Sequence, residues 1–350
     1  MMKQGLNEKQ IVQIRDELEN CKKPLFFFHD DPDGVTSFLL LYRMKEDGKG
    51  IIVKTTPKID EKFLKKVEEY APDKIFILDI AIVEQEFIDE AKVPVIWIDH
   101  HSPLERRNIK YFNPRLLGEK NSAPVSYICH QISGENVWLS AVGCIGDWFM
   151  PDFIEEFKKK YPDILEEHIN DPEEALFNSK LGELVRIFSF VLNGTTQDVM
   201  KNVVVLTRIK SLYEILNQET PAGKFIYKKY EKMKKTYDEL IEQAMKAEQE
   251  KTDPLYVFIY TEKYTSFTKD LANELIYKNP DKIVVVGRIK ENEVKMSIRS
   301  KRIMLPEILE KSLAGVDGYG GGHEHAVGAN VKEQDFEKFI NNLRSLIKSV

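Results

Sequence analysis

One histidine and three aspartates fall within five positions of FHDDPDG (28–34), directly after the apolar run Pro24, Leu25, Phe26 and Phe27. Carboxylates this close repel one another, and taking them out of water at a strand end is costly unless a positive charge compensates. The same residue types recur downstream. Asp79 lies inside KIFILDI, Asp99-His100-His101 closes PVIWIDHH, and Asp147 sits in AVGCIGDW. Taken singly, a strand-end aspartate reads as a helix N-cap or a turn residue. Acids at the ends of several neighbouring strands are another matter, because they need bound cations between them. Carboxylate mixed with imidazole, and no thiolate in the set, favours Mn2+, with Mg2+ or Co2+ as substitutes, over structural zinc. Of the seven histidines, His130 and His168 lie outside this company and read as surface or supporting residues.

The elements that must position these side chains are legible between residues 24 and 100. Apolar runs at 24–28, 50–54, 74–80 and 94–99 alternate with VTSFLLLYRMKED and EKFLKKVEEYA, which have helical length and period. Such runs predict parallel strands in βαβ units, whose ligands bind at the carboxyl ends of the strands. The acids fall at those ends. From about 121 to 250 the pattern is mostly helical. Thr220-Pro221 opens a long helix expected to reach Lys251, with Phe225, Ile226, Tyr230, Met233, Tyr237, Leu240 and Ile241 as its apolar stripe. Asp253-Pro254 breaks it, and LYVFIY, KIVVVGR and EVKMSIRS read as new strands. The expectation is an α/β protein: an N-terminal parallel-sheet domain (1–215), a helical connector (216–252) and a smaller α/β C-terminal domain (253–350).

That second domain carries its own chemistry. The glycines of GGGH (320–323) leave backbone N–H groups open to an anion, and Arg299 of SIRS can hold a phosphate bidentately. The bland readings are a glycine-rich turn and a solvated basic strand, with Lys290, Lys295, Lys301 and Arg302 nearby.

Composition bounds the rest. The 350 residues suit two domains, and 42% hydrophobic with 31% charged residues describes an ordinary globular chain. A net charge of −6 argues against a sequence-blind nucleic-acid coat, though not against an enzyme whose acidic centre handles nucleic acid. Cys21, Cys129 and Cys144 show no CxxC spacing, which speaks against a disulfide framework and a thiolate zinc site. The polar N-terminus and the lack of any apolar stretch near the roughly 20 residues that span a bilayer point to a cytoplasmic protein with no membrane partner.

The ordered series His29-x-Asp31-x-Asp33-Gly34, Asp79, Asp99-His100-His101 and Gly146-Asp147 resembles the four motifs of the DHH phosphoesterase superfamily. SIRS (297–300) and GGGHEHAVGA (320–329) are similar to the signature of the DHH-associated C-terminal domain. Both resemblances occur in the right order and cover nearly the whole chain, on the plan of RecJ-type nucleases and nano-RNases in the compact form common among archaea. Pro32 stands where that family usually has a small residue. The resemblance implies two Mn2+ ions bridged by Asp79, with His29 and Asp31 completing one site and Asp33, His100 and Asp147 the other. It implies that His101 meets the scissile phosphate and that Asp99 orients its neighbours. It also implies that Ser297, Arg299, Gly321, Gly322 and His323 hold the substrate.

The function so implied is a manganese-dependent phosphodiesterase or exonuclease that trims single-stranded DNA, RNA or short oligonucleotides to mononucleotides. A hydrolase of cyclic or linear dinucleotides, of the cyclic di-adenylate type, is the alternative. No sensory or membrane segment accompanies such a role here, and no extra oligonucleotide-binding domain supports long-strand processivity. A non-catalytic replication scaffold fits poorly with a full ligand set, and an inorganic pyrophosphatase fits poorly with a nucleotide-end grip. Oligomeric state is left open, a homo-oligomer included.

Overall fold

The apolar runs near the N-terminus become strands because helices cover both of their faces. In the computed structural model, which describes residues 4–54, 58–247, 252–261 and 266–347, they are β1 (Pro24–His29), β2 (Lys49–Val53), β4 (Lys74–Leu78) and β6 (Val95–Ile98). With β7 (Lys110–Phe112) they form one parallel sheet in the order β2-β1-β4-β6-β7. Two dipeptide strands, β3 (Lys58–Ile59) and β5 (Ile82–Val83), pair separately. The crossovers run through α2 (Pro32–Lys45), α3 (Leu64–Tyr70) and α4 (Gln85–Glu90), while α1 (Glu8–Glu19) precedes the sheet. Successive side chains of β1 point to opposite faces. Phe26 and Phe28 meet Phe38 of α2, whereas Leu25 and Phe27 join the cluster that holds Val67 of α3 and Phe87 of α4. A continuous apolar run is what such double coverage requires.

At its far edge the sheet gains β7, a strand that the apolar runs do not announce. It has only three residues, one exposed and one half-buried, so its apolar signal is too short to stand out. The strand order carries the functional consequence. The chain moves outward from β1 to β2 and returns to β4 on the other side of β1, so the direction of winding reverses between β1 and β4. At such a reversal the two loops diverge and open a crevice at the carboxyl ends of the strands.

Beyond the sheet, α5 (Val125–Ser133) and α6 (Val137–Gly146) pack against α2 and against each other. The contact is close because Gly143 of α6 has no side chain. A methyl group there would overlap Thr36 Oγ1 of α2 and Ser126 Oγ of α5. Five further helices follow: α7 (Ile154–Lys160), α8 (Pro172–Asn178), α9 (Lys180–Val191), α10 (Thr196–Leu206) and α11 (Leu212–Leu216). Then comes α12 (Pro221–Lys246), whose first turn is capped by Thr220 Oγ1 accepting from the Gly223 N–H at 3.1 Å. Lys251, where the sequence places its end, lies outside the described residues. Ile226, Tyr230, Tyr237 and Leu240 are buried on α12, but Phe225 is 38% exposed. Adjacent positions on a helix cannot share a face, so Phe225 falls off the stripe that Ile226 belongs to.

Two compact units result, Met1–Tyr230 and Glu231–Val350. The second holds a mixed sheet in the order β11-β12-β10-β9-β8, built from β8 (Leu255–Thr261), β9 (Ile283–Lys290), β10 (Glu293–Ser300), β11 (Gly318–His323) and β12 (Ala326–Lys332). β8 and β9 run parallel and the remaining pairs antiparallel. α13 (Thr268–Lys278) packs on β9 and β10, and α14 (Pro306–Ser312) and α15 (Phe336–Ile347) share a core with Val294, Met296 and Ile298. GGGH is therefore the end of an edge strand rather than a turn. Among the described residues, no helix is long and apolar enough to cross a membrane.

The close α2–α5–α6 packing makes a direct prediction. Gly143→Ala should lower stability by about 1–3 kcal/mol, the usual cost of overfilling a packed core. A thermal unfolding midpoint equal to that of the wild type would contradict this packing.

Candidate metal centre

Each motif residue reaches the crevice from a defined backbone position. His29 ends β1, and Asp31 is the N-cap of α2, its Oδ1 accepting from the Gly34 N–H at 3.0 Å. The capping role and a ligand role are thus compatible, since capping uses one oxygen and Oδ2 turns to His29 Nδ1 at 3.0 Å. Asp33 follows in the first turn of α2 and is fully buried. Its two oxygens accept the Val125 and Ser126 N–H groups at 2.9 and 2.8 Å, so the start of α5 faces its charge. Asp79 follows β4 with φ +57°, a left-handed conformation that aspartate tolerates better than most residues. Its N–H donates to the Ile98 carbonyl at 3.0 Å. Asp147 caps the carboxyl end of α6, and Trp148 turns the chain away with φ +57°.

These positions bring the donors together around Asp79. Asp79 Oδ2 lies 3.3 Å from His29 Nδ1, and Asp79 Oδ1 lies 3.4 Å from His100 Nε2. His100 Nε2 is in turn 3.3 Å from Asp147 Oδ2. His29, Asp31 and Asp79 form one cluster able to hold a metal ion; Asp33, His100 and Asp147 form another; Asp79, His100 and His101 form a third. Neighbouring corners of an octahedron with bonds of about 2.1 Å are about 3.0 Å apart, which matches these separations. Nδ1 of His29 is buried, yet neither nearby carboxylate meets it at a hydrogen-bonding angle. A buried nitrogen held among carboxylate oxygens is placed where it could share a cation with them. The opposite ring nitrogen, Nε2, lies 3.5 Å from Asp30, the arrangement by which a carboxylate orients a ligating imidazole. The residues therefore fit divalent cations.

The electrostatics follow from crowding. Burial alone would lower the pKa of His29, but Asp31 and Asp79 hold it well above the ordinary histidine value. His100 is likewise held high against burial by Asp79 and Asp147. Burial, reinforced by Asp79 and Asp147, pushes the Asp33 carboxyl well up, although its two backbone donors act the other way. Burial would raise Asp79 too, yet the two imidazoles bring it below its ordinary value. Asp79 is the carboxylate that both rings favour in its charged form.

His101 is set by a different partner. Asp99 is fully buried and takes His101 Nδ1 at 2.7 Å and the His101 N–H at 3.0 Å. Tyr111 and Asn113 add donors to Asp99 at 3.4 and 3.3 Å, and Asn113 also holds the His101 carbonyl at 2.9 Å. Arg115 Nε donates to the His100 carbonyl at 2.8 Å. Sequence reading missed Asp30, Tyr111, Asn113 and Arg115. Their one signal is the NPR tripeptide (113–115) after β7, which is unremarkable until the fold sets it beside DHH.

The substrate residues proposed for the second unit share one sheet. Pairing sets Ser297 opposite Gly328, which is opposite Gly321, and sets Arg299 opposite Ala326, which is opposite His323. Directly opposed residues lie on one face. A side chain at Gly321 would meet nothing within 4 Å, so that face is open there. Gly322 has φ +148°, a conformation that suits glycine. Arg299 donates through Nε to Asn273 Oδ1 at 2.7 Å, and burial pushes its pKa down to about 10. The side chain of His323 lies outside what the structure describes.

The N-terminal domain model of the DHH family matches residues 25–165, and the DHHA1 domain model matches residues 255–349. The chain belongs to the DHH superfamily. Its second unit carries the DHH-associated domain. No curated protein sequence matches this DHH chain. Among solved structures it is similar to RecJ of Thermus thermophilus in complex with Mn2+, at 15% identity and a TM-score of 0.68. That match covers 98% of this chain and 55% of RecJ, so this DHH chain spans about half of that relative's length. Exonuclease RecJ bound to manganese matches at 15% identity and a TM-score of 0.63, over 99% of this chain and 95% of the other. CDC45 of Entamoeba histolytica matches at 10% identity and a TM-score of 0.58, over 97% and 99%. At these identities the likeness is one of fold.

Sharing of Asp79 between two clusters sets an expected outcome. Asp79→Asn keeps the left-handed backbone accessible and removes the charge, so far-ultraviolet circular dichroism should be unchanged. Calorimetric titration with MnCl2 should show affinity weakened by more than about 10-fold at both clusters, since even the loss of an orienting partner costs that much. A variant with one cluster of wild-type affinity would rule out the sharing.

Proposed function

We propose that this chain is a metal-dependent phosphodiesterase that hydrolyses single-stranded DNA, RNA or short oligonucleotides to mononucleotides, with two Mn2+ ions as cofactors. The observation that carries the reading is the division of Asp79, one oxygen toward His29 and the other toward His100. His29, Asp31 and Asp79 would hold one ion, and Asp79, Asp33, His100 and Asp147 the other. Divalent ions so placed would polarise a phosphodiester and make water a better nucleophile at neutral pH. Manganese is supported by the mixed imidazole and carboxylate donors, and Mg2+ or Co2+ would fit the same set.

The chain's own residues do the rest. Asp99 accepts from Nδ1 of His101 and fixes the plane of the ring, so exchange with a phosphoryl oxygen or the leaving oxygen falls to Nε2. Asn113 and Tyr111 hold Asp99 in turn, so the dyad is positioned before substrate arrives. In the second unit, Ser297, Arg299 and the backbone of Gly321, Gly322 and His323 would take the nucleotide end. The catalytic region is then 1–215 and the substrate-binding region 253–350, joined by 216–252.

Two measurements test this reading. Purified protein with MnCl2 should degrade end-labelled single-stranded DNA or RNA faster than cyclic di-adenylate or pyrophosphate; faster turnover of either small substrate would overturn the assignment. His100→Ala should weaken metal binding, whereas His101→Ala should keep most of the metal and lose about 100-fold or more in kcat, as for a lost general acid or base. Variants with the same metal affinity and the same kcat would show that the two histidines have been given the wrong roles.

A further inference from the structure

Three arginines of the first unit spend their terminal nitrogens on protein acceptors. Arg15 donates to the Ile132 carbonyl, Arg43 to Asn136 and to the Leu206 and Ile209 carbonyls, and Arg106 to the Glu105 carbonyl while pairing with Glu84. Arg115 differs. Its Nε is fixed to the His100 carbonyl at 2.8 Å, yet among the described residues Nη1 and Nη2 have no hydrogen bond or ion pair. No carboxylate of the described residues lies within ion-pairing distance of it, although the neighbouring crevice is rich in carboxylates.

The turn that carries Arg115 is braced on both sides of the DHH tripeptide. Asn113 Oδ1 accepts the Arg115 N–H at 2.9 Å while Asn113 Nδ2 holds the His101 carbonyl at 2.9 Å. The Leu116, Leu117 and Gly118 N–H groups bond back to Asn113, Pro114 and Arg115 at 3.1, 3.0 and 3.2 Å. A side chain tethered at Nε has already lost part of its rotational freedom, so an incoming anion has less to order. Immediately beyond it, Leu116 and Leu117 are 58% and 49% exposed. An apolar pair beside an unpaired guanidinium suits a nucleotide, which joins a phosphate to a sugar and a base, better than a bare inorganic ion.

We infer that Arg115 is a substrate-binding residue of this centre, gripping a phosphate that flanks the reacting one through Nη1 and Nη2. Resting on the phosphodiesterase reading, this inference names a contact on the first unit itself. The planar fork matches two phosphate oxygens at once, and a lysine, with neither the fork nor the Nε tether, would not replace it.

The experiment compares wild type, Arg115→Ala and Arg115→Lys on two substrates with MnCl2: a single-stranded oligonucleotide and bis-p-nitrophenyl phosphate, which has no flanking phosphate. Both variants should raise KM for the oligonucleotide roughly 10- to 150-fold, the range for a charged hydrogen bond, with kcat nearly unchanged. In Arg115→Ala the plot of log(kcat/KM) against log[salt] should flatten by about 0.7, the loss of one phosphate contact on a single strand. Because both variants also lose the Nε tether to the His100 carbonyl, metal affinity and turnover of bis-p-nitrophenyl phosphate should fall slightly, by far less than the oligonucleotide kcat/KM. A variant that loses metal, or slows the small diester as much as the oligonucleotide, would show that Arg115 only tethers His100 and overturn the inference. So would an unchanged KM and salt slope in a protein active on both substrates. A wild-type protein that hydrolyses neither substrate would instead sink the phosphodiesterase reading on which the inference rests.

Discussion

Asp79 is the point on which the first unit turns, because it is a buried carboxylate shared between two crowded groups of donors. Its charged form is favoured by an imidazole on each side, while burial and the neighbouring Asp31 work against it. Alone in a low-dielectric interior such a charge would be taken up by a proton. Held between His29 and His100, it stays the fixed negative centre around which Asp31, Asp33 and Asp147 must be placed.

The fold supplies those places with ordinary structural devices. The reversal of winding between β1 and β4 sets the loops carrying His29, Asp31 and Asp79 side by side. Helix starts then absorb negative charge: Asp31 caps α2 with one oxygen and keeps the other for the crevice, and Asp33 lies against the first N–H groups of α5. The absence of a side chain at Gly143 lets α2, α5 and α6 close up, which fixes Asp33 relative to Asp147 at the end of α6. Stability and site geometry therefore depend on the same helix contacts.

The histidines of the DHH tripeptide are treated differently by their surroundings. His100 is aimed at Asp79 and Asp147, whereas His101 is bound to Asp99, itself buried under Tyr111 and Asn113. One short segment, 111–115, thus supports both residues: Asn113 holds the His101 carbonyl and Arg115 the His100 carbonyl. A weak edge strand with little apolar signal turns out to carry the bracing for the centre.

Much of this was determined by the sequence alone. The apolar runs and helical spacings were enough for parallel βαβ units, because doubly covered strands must be apolar on both faces, as Phe26 and Phe27 show. The repeated pairing of aspartate with histidine at strand ends was enough for a cation-binding reading, because like charges so close need a counter-ion. Other features were decided only by the tertiary structure. Whether Asp31 is a cap or a site residue has no answer in the sequence, since its two oxygens do different things and only the placement of His29 reveals the second. GGGH reads in the sequence as open backbone for an anion, with a glycine-rich turn as the bland alternative, and only pairing with β12 shows it to be part of an edge strand. Tyr111, Asn113 and Arg115 carry no distinctive local pattern. The contacts of Tyr111, Asn113 and Arg115 arise because β7 pairs with β6 and brings them beside Asp99, His100 and His101, and that pairing is not encoded in spacing along the chain.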